Sequence, residues 1–126
     1  MTMRETVLVH ACSDEAVAAI TSALGSRGVA TLVANSFAEL LRDTVSRKPV
    51  GVVLGVRPSA IDELEAIGVL HAMRERVPVM IVAREDSLEL ERKAREGNIF
   101  YYLVEPIQTD ELDAVIEDML RYGRSV

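Results

Sequence analysis

A short apolar run between Pro49 and Pro58 constrains the fold more than any other stretch of this chain. Its core, Val-Gly-Val-Val-Leu-Gly-Val, is rich in β-branched residues and carries no polar side chain. This pattern predicts a strand buried on both faces, at the centre of a parallel sheet. In parallel sheets, ligands bind and catalytic residues lie at the carboxyl ends of the strands. The carboxyl end of this strand consists of Leu54, Gly55, Val56 and Arg57, which supply no carboxylate, thiol or hydroxyl.

Strand-like and helix-like segments alternate along the sequence. Short apolar runs predict strands at residues 6–11, 29–34, 50–56, 78–83 and 100–104. Apolar residues at helical spacing follow each run, and helix-capping side chains are expected at Ser13 or Asp14, Ser36, Ser59, Asp86 or Ser87, and Thr109. Five such pairs predict a parallel sheet with helices on both faces, a three-layer α/β architecture. We predict one domain over residues 1–122, with residues 123–126 as a tail or the start of a linker.

The composition is that of one globular domain. Hydrophobic residues make up 49% of the 126 residues and charged ones 27%, so disorder is not expected. No apolar run approaches the ~18 residues of a membrane span. The single cysteine, Cys12, excludes an internal disulfide and fits a reducing cytoplasm. A net charge of -6 argues against binding to the phosphates of nucleic acid, so we expect the partner to be a protein. We also expect no membrane contact and a cytoplasmic location.

Three stretches carry a resemblance to a known family. They are the first strand running into a polar turn, the central strand with a proline on each side, and the segment Tyr102-Leu-Val-Glu-Pro106. In this order and spacing they resemble the receiver domain of two-component response regulators, the CheY-like family, over the whole chain. The resemblance implies a five-stranded parallel sheet in the order 2-1-3-4-5 and a role in bacterial signal transduction.

Working members of that family transfer a phosphoryl group from a histidine kinase to an aspartate. The resemblance implies an aspartate ending the third strand, an acidic pair holding Mg²⁺ after the first, a hydroxyl after the fourth and a lysine after the fifth. Carried across residue by residue, these positions fall on Ala11 and Cys12 for the acidic pair, Gly55 (or Leu54 in the alternative register) for the nucleophile, Ala83 for the hydroxyl and Glu105 for the lysine. None has the required group. We therefore predict a degenerate pseudo-receiver that is not an enzyme and holds no metal or cofactor.

Two features of the fifth strand bear on that site. Glu105 places a negative charge where the family has a positive one, and we predict that it forms a rim ion pair with Arg57 or Arg84. A solvated glutamate without a partner is the alternative. The resemblance also implies a cis peptide bond before Pro106 and identifies Tyr102 with the aromatic residue of the family's switch.

The family's usual interaction face combines the fourth helix, the fifth strand and the fifth helix. The candidate contact residues on it are Tyr101, Arg92, Lys93, Asp113 and Glu117. An aromatic side chain among charges suits a partner anchor, although a solvated amphipathic face is the alternative. We predict a phosphorylation-independent interaction module of a two-component-type pathway, contacting a signalling protein, an output domain or a second copy of itself.

Two other functions stay open. A small-ligand or redox sensor would use a rim pocket vacated beside Gly55, Ala83 and Cys12, although such a cysteine is more often a packed apolar residue. A phosphoreceiver with an unusual acceptor is the other function. His10 and His71 have too few companions to form a metal site.

Overall fold

The computed structural model describes residues 4–125, and its central element is a five-stranded parallel sheet. The strands are β1 (Thr6–His10), β2 (Ala30–Ala34), β3 (Gly51–Val56), β4 (Val79–Ala83) and β5 (Tyr101–Val104). They lie in the order β2-β1-β3-β4-β5, so the predicted topology is confirmed. Every residue of β3 and β4 is buried, because helices cover both faces of the sheet.

Five α-helices connect and flank the strands. They are α1 (Asp14–Gly25), α2 (Phe37–Arg47), α3 (Glu65–Met73), α4 (Leu88–Arg95) and α5 (Thr109–Arg124). Ser13, Ser36 and Ser87 each accept a hydrogen bond from the backbone amide three residues ahead. Each bond satisfies a donor that the first turn of a helix otherwise leaves unpaired. Three of the expected capping side chains are therefore confirmed. No helix within residues 4–125 is long and apolar enough to cross a membrane.

The regions before α3 and α5 differ from the prediction. Pro58–Leu64 form a 3₁₀ segment, which is broken at Ala60, where φ is -123° and ψ is 38°. Ser59 therefore lies inside this segment and does not cap a helix, because the preceding proline already occupies a first helical position. Before α5 the capping position is held by Gln108 without a side-chain bond, and Thr109 is already helical.

Two apolar layers enclose the sheet. The layer beneath α1 and α5 includes Ile20 and Ile116, and the layer beneath α2, α3 and α4 includes Leu40, Leu70 and Leu90. Successive strand residues point to opposite faces, so the same strands supply both layers. Truncating one of these fully buried side chains to alanine would cost roughly 2–5 kcal/mol. The two layers fix the positions of the strand ends, where the candidate site lies.

The fourth helix is anchored by fewer residues than the sequence suggests. Its charged pattern leaves Leu88, Leu90 and Ala94 as candidate anchors. Leu90 and Ala94 are fully buried, but Leu88 is 63% exposed, so this third anchor is wrong. Leu88 is the first residue of the helix and lies outside the face that Leu90 and Ala94 share at helical spacing.

The last turn of α5 packs closely against the sheet. A Cβ atom on Gly123 would lie 1.9 Å from the carbonyl oxygen of Val50, so only glycine allows this approach. The next residue, Arg124, forms an ion pair with Glu5, with Nη2 and Oε1 2.6 Å apart. The helix thus runs two residues beyond position 122, where we place the domain boundary, and the boundary itself stays a prediction.

Candidate functional site

The positions singled out from the sequence meet at the carboxyl edge of the sheet. Ala11 and Cys12 follow β1, Gly55 lies near the end of β3, and Ala83 ends β4. Glu105 follows β5, and its backbone amide donates to the carbonyl oxygen of Ala83 at 2.9 Å. In open parallel sheets this edge is where ligands bind. The geometry of the loops that cover it therefore decides what chemistry the edge can support.

The loop after β1 lies directly on Gly55. A Cβ atom placed on Gly55 would be 2.3 Å from the carbonyl oxygen of Ala11 and 2.8 Å from the Cα atom of Cys12. Both contacts are with backbone, which cannot rotate aside as the end of a side chain can. Ala11 adopts a φ of 62°, in the left-handed region that costs a residue with a Cβ atom roughly 1 kcal/mol. Backbone thus fills the space into which a side chain at Gly55 would project.

Glu105 is held by side chains from two other loops. Its carboxylate accepts a hydrogen bond from the hydroxyl of Ser13, and the Nε atom of Arg84 lies 3.0 Å from its other oxygen. The Glu105 side chain is 15% exposed and the Arg84 side chain 27%, so water screens the pair only in part. Ser13 caps α1 with the same hydroxyl. These three residues, the Ser13–Glu105–Arg84 cluster, tie together the loops after β1, β4 and β5.

The strand order explains which arginine pairs with Glu105. Arg84 follows β4, which neighbours β5, whereas the exposed Arg57 follows β3, one strand further away. The peptide bond before Pro106 is cis, in agreement with the sequence prediction. The sequence indicates Ser13 only as a helix cap and misses its second contact. The predicted parallel topology could have revealed this contact, since a parallel sheet brings the loops after β1 and β5 to the same edge.

Cys12 is packed at this edge. Burial raises the pKa of its thiol to about 12, and the neighbouring Glu105 carboxylate adds to the shift. The thiolate is the reactive form of cysteine, so little of it exists at neutral pH. Nδ1 of His10 lies 2.8 Å from the Ala34 carbonyl oxygen and donates to it, while His71 lies on α3. Within the described part of the chain, no three His, Cys, Asp or Glu side chains form a group that could hold a metal.

Two clefts at the carboxyl edge adjoin the site, and the first includes one of the three residues beside which the sequence predicts a pocket. The first, of about 370 Å³, lies between the end of β3, the 3₁₀ segment and the start of α3, with His10 and Phe37 completing its lining. We call it the β3–α3 cleft. The second, of about 490 Å³, is lined by the Ser13–Glu105–Arg84 cluster and by Pro106. Gly55 lines the first cleft, whereas Ala83 and Cys12 line neither of the two.

The candidate residues of the expected interaction face have different surroundings. Asp113 and Glu117 are near the turn after α1, where Arg27 lies 3.4 Å from Asp113 and 3.8 Å from Glu117. Both carboxylates therefore have a cation partner within the chain, and their place on the α4–β5–α5 face stays a prediction. Arg92 and Lys93 are exposed on α4, where they flank Ile61 of the 3₁₀ segment.

Two tyrosines of β5 remain near the expected face. Tyr101 is half-buried, and its hydroxyl donates to Glu111 of α5 at 3.0 Å. The side chain of Tyr102 is turned inward and only 7% exposed. Burial raises the pKa of the Tyr102 hydroxyl, which has no hydrogen-bond partner among residues 4–125. The guanidinium of Arg95 lies 6.0 Å from the centre of the Tyr102 ring, at the outer limit of a cation–π contact.

Comparison with known proteins identifies the architecture. No protein-family model and no curated protein matches the chain. The signal receiver domain of a modulated diguanylate cyclase from Desulfovibrio desulfuricans G20 is 23% identical, with a TM-score of 0.76 and 98% of each chain covered. The signal receiver domain of an HD domain-containing protein from Pseudomonas fluorescens Pf-5 is 19% identical, with a TM-score of 0.82, over 98% of this chain and all of the other.

A CheY-like response regulator receiver domain protein from Methanospirillum hungatei JF-1 is 15% identical, with a TM-score of 0.80 and 98% of each chain covered. These identities are low, so the likeness concerns the fold and its strand order. It agrees with the topology described above and extends over nearly the whole chain. The chain has the fold of the receiver domains of response regulators.

Proposed function

We propose that this chain is a receiver-like signalling domain that acts by protein contact and does not accept a phosphoryl group at the third strand. The observation that carries the proposal is the backbone packed on Gly55, 2.3 Å from the place where a side chain would begin. An acceptor carboxylate needs space there, and an in-line phosphoryl transfer needs more. The site offers neither the nucleophile nor the room for one.

The charge at the edge supports the same proposal. Phosphoryl transfer depends on cations that neutralise the charge on the transferred group. Glu105 brings a carboxylate to this edge, and the nearest arginine, Arg84, is already paired with it. A phosphoryl group would have to displace that carboxylate from Arg84 and would then be repelled by it. The cluster therefore stabilises the edge without a bound anion and disfavours the binding of one.

The proposed module has a protein partner, a signalling protein or an output domain, in a bacterial two-component-type pathway in the cytoplasm. Contact with nucleic acid is not part of the proposal, since the net charge of -6 would have to be overcome. Neither is an enzymatic activity. The partner could also be a second copy of this chain, which would give a homodimer. The Ser13–Glu105–Arg84 cluster suits a module with one fixed conformation, because it joins three loops without a removable group.

Incubation with acetyl phosphate and Mg²⁺ tests the proposal. Intact-mass spectrometry of the folded chain is expected to show no phosphoryl adduct, while an ordinary receiver domain treated in parallel gains one. An acid-labile adduct on this chain would contradict the proposal. The variant Asp14→Asn serves as a matched control, because Asp14 is the exposed carboxylate that follows Ser13 at the start of α1. An adduct lost in that variant would identify Asp14 as an unusual acceptor.

A small-ligand sensor is a second candidate, favoured by one observation. The β3–α3 cleft, at about 370 Å³, falls within the size range of small-molecule sites. A thermal-shift screen with metabolites tests it, and a ligand that stabilises the chain should lose its effect in Val69→Glu, which places a charge in the cleft. A redox sensor gains no such support, because the high pKa of the Cys12 thiol leaves it protonated.

A further inference from the structure

The apolar floor of the β3–α3 cleft continues as an exposed strip along α2 and α3. Phe37 and Val69 line the cleft and are 44% and 39% exposed. Residues four apart share a face of a helix, so Phe37 continues through the half-buried Leu41 to the exposed Val45, and Val69 continues to the exposed Met73. The two helices pack against each other, which joins the two rows. We call this surface the α2–α3 strip.

The rim of the same cleft is acidic. Asp62, Glu63 and Glu65 line it, all three are exposed, and none of them belongs to an ion pair found within residues 4–125. The described lining contains no lysine or arginine. Its remaining polar side chain, His10, donates from Nδ1 to the carbonyl oxygen of Ala34. The cleft thus presents acceptors and negative charge around an apolar floor.

We propose that the β3–α3 cleft and the α2–α3 strip form the docking site for a basic amphipathic helix of the partner protein. The apolar stripe of that helix packs on Phe37 and Val69, and lysine or arginine side chains near its end meet the three carboxylates of the rim. This inference rests on the proposed function, since it gives the chemistry of the partner. Exposed apolar surface next to unpaired charge of one sign is typical of such a groove.

Two other occupants fit less well. A small cationic ligand would fill the cleft but leave Val45 and Met73, 53% and 41% exposed, in water. A second copy of this chain carries the same net charge of -6, so its approach to an acidic rim is opposed by long-range repulsion. A helix with basic residues would cover the apolar strip and also match the sign of the rim charge.

The rim charges can be tested with matched variants of the full chain. The probe is a fluorescent synthetic peptide of leucine and lysine in amphipathic helical spacing, and binding is followed by fluorescence anisotropy at low salt. One triple variant removes the rim charges, Asp62→Asn, Glu63→Gln and Glu65→Gln. The control triple removes three exposed carboxylates around the start of α4, Glu85→Gln, Asp86→Asn and Glu89→Gln, so both variants have the same net charge.

We expect the rim triple to weaken binding about tenfold and the control triple by roughly twofold or less. Equal losses would overturn the inference, since they would mean that only overall acidity matters. A peptide with glutamate in place of lysine should not bind, and binding as tight as that of the lysine peptide would also overturn it. So would the absence of saturable binding by the lysine peptide.

The apolar strip is tested with a second pair of variants and by mapping the bound peptide. Val69→Ser should weaken binding severalfold, whereas Leu88→Ser, at an exposed apolar position on α4, should not. In ¹⁵N-labelled protein the peptide should shift the amide signals of Phe37 and Val69. Shifts confined to the α4–β5–α5 face would overturn this inference and leave the proposed function intact. An acetyl phosphate adduct would instead contradict the proposed function, whatever the peptide does.

Two further outcomes would assign the strip to other occupants and overturn the inference. Phenethylamine, which carries an aromatic ring and an ammonium group, should compete only weakly, and complete displacement of the peptide would indicate a small-ligand site. Sedimentation velocity should give a monomer. A dimer that dissociates in Val69→Lys would instead show that a second copy covers the strip.

Discussion

Replacing Gly55 with alanine tests the packing of the edge directly. The new Cβ atom would lie 2.3, 2.7 and 2.8 Å from three backbone atoms of Ala11 and Cys12. Overpacking a tight site costs roughly 1–3 kcal/mol, and three backbone contacts place this one at the upper end. Alanine also restricts the unfolded chain, which offsets about 0.4–1 kcal/mol. We therefore expect Gly55→Ala to lower the free energy of unfolding by about 2 kcal/mol, and the melting temperature by roughly 8 °C.

The matched control is Gly68→Ala, on the exposed face of α3. A Cβ atom at Gly68 would have no heavy atom within 4 Å, so the substitution adds helix propensity without a clash and should stabilise the chain by roughly 0.5–1 kcal/mol. Urea denaturation followed by circular dichroism measures both variants, and unchanged m-values show that only stability differs. Gly55→Ala within about 0.5 kcal/mol of the unsubstituted chain would refute the close approach of the loop after β1.

Three smaller effects follow from the ion pairs and the buried thiol. A double-mutant cycle of Arg84→Ala and Glu105→Gln should give a coupling free energy of about 0.5–1 kcal/mol in urea denaturation, and no coupling would refute the pair. Burial raises the pKa of Cys12 from 9.0 to about 12, so above pH 9 the unfolded state holds fewer protons than the folded one and stability falls as pH rises. This loss is about 1 kcal/mol between pH 8 and 10, and the same pH slope in Cys12→Ala would contradict it. Hydrogen bonding to Arg124 lowers the pKa of Glu5, so their pair stabilises the fold at neutral pH and that contribution disappears as pH falls below the ordinary value of 4.5. Arg124→Ala should cost about 0.5 kcal/mol near neutral pH and nothing in acid, and an equal cost at both would show that charge is not the cause.

The sheet was predictable because its signals are local and strong. The run that became β3 has no polar side chain, and the run that became β4 is apolar throughout, which requires burial on both faces. Alternation with helical segments then leaves few topologies, since parallel crossovers are right-handed and short. The sequence also shows that the residues around Gly55 include no carboxylate, since none occurs between Asp43 and Asp62.

The packing of the edge was not predictable, because it depends on contacts between residues far apart in sequence. Nothing near Gly55 in the sequence indicates that the loop carrying Ala11 would settle on it. The contact of Asp113 with Arg27 was missed for a similar reason, since Arg27 lies far away in sequence, in the turn after α1. The small residues at this edge suggested a pocket, whereas the neighbouring backbone fills the space beside Gly55. Empty apolar space loses dispersion contacts, so a flexible loop tends to close it.

This packing links the residues of the carboxyl edge to one another. A carboxylate at position 105 would be unfavourable at a half-buried edge without a cation, and Arg84 supplies one from the adjacent strand. The hydroxyl of Ser13 then binds the same carboxylate and draws in the loop after β1, whose backbone requires glycine at position 55. An aspartate placed at position 55 alone would therefore meet the backbone of the loop after β1. If the proposed function holds, phosphoryl acceptance would need simultaneous changes on β3 and in the loops after β1 and β5, so we expect Gly55→Asp to unfold more easily and still to gain no phosphoryl group from acetyl phosphate.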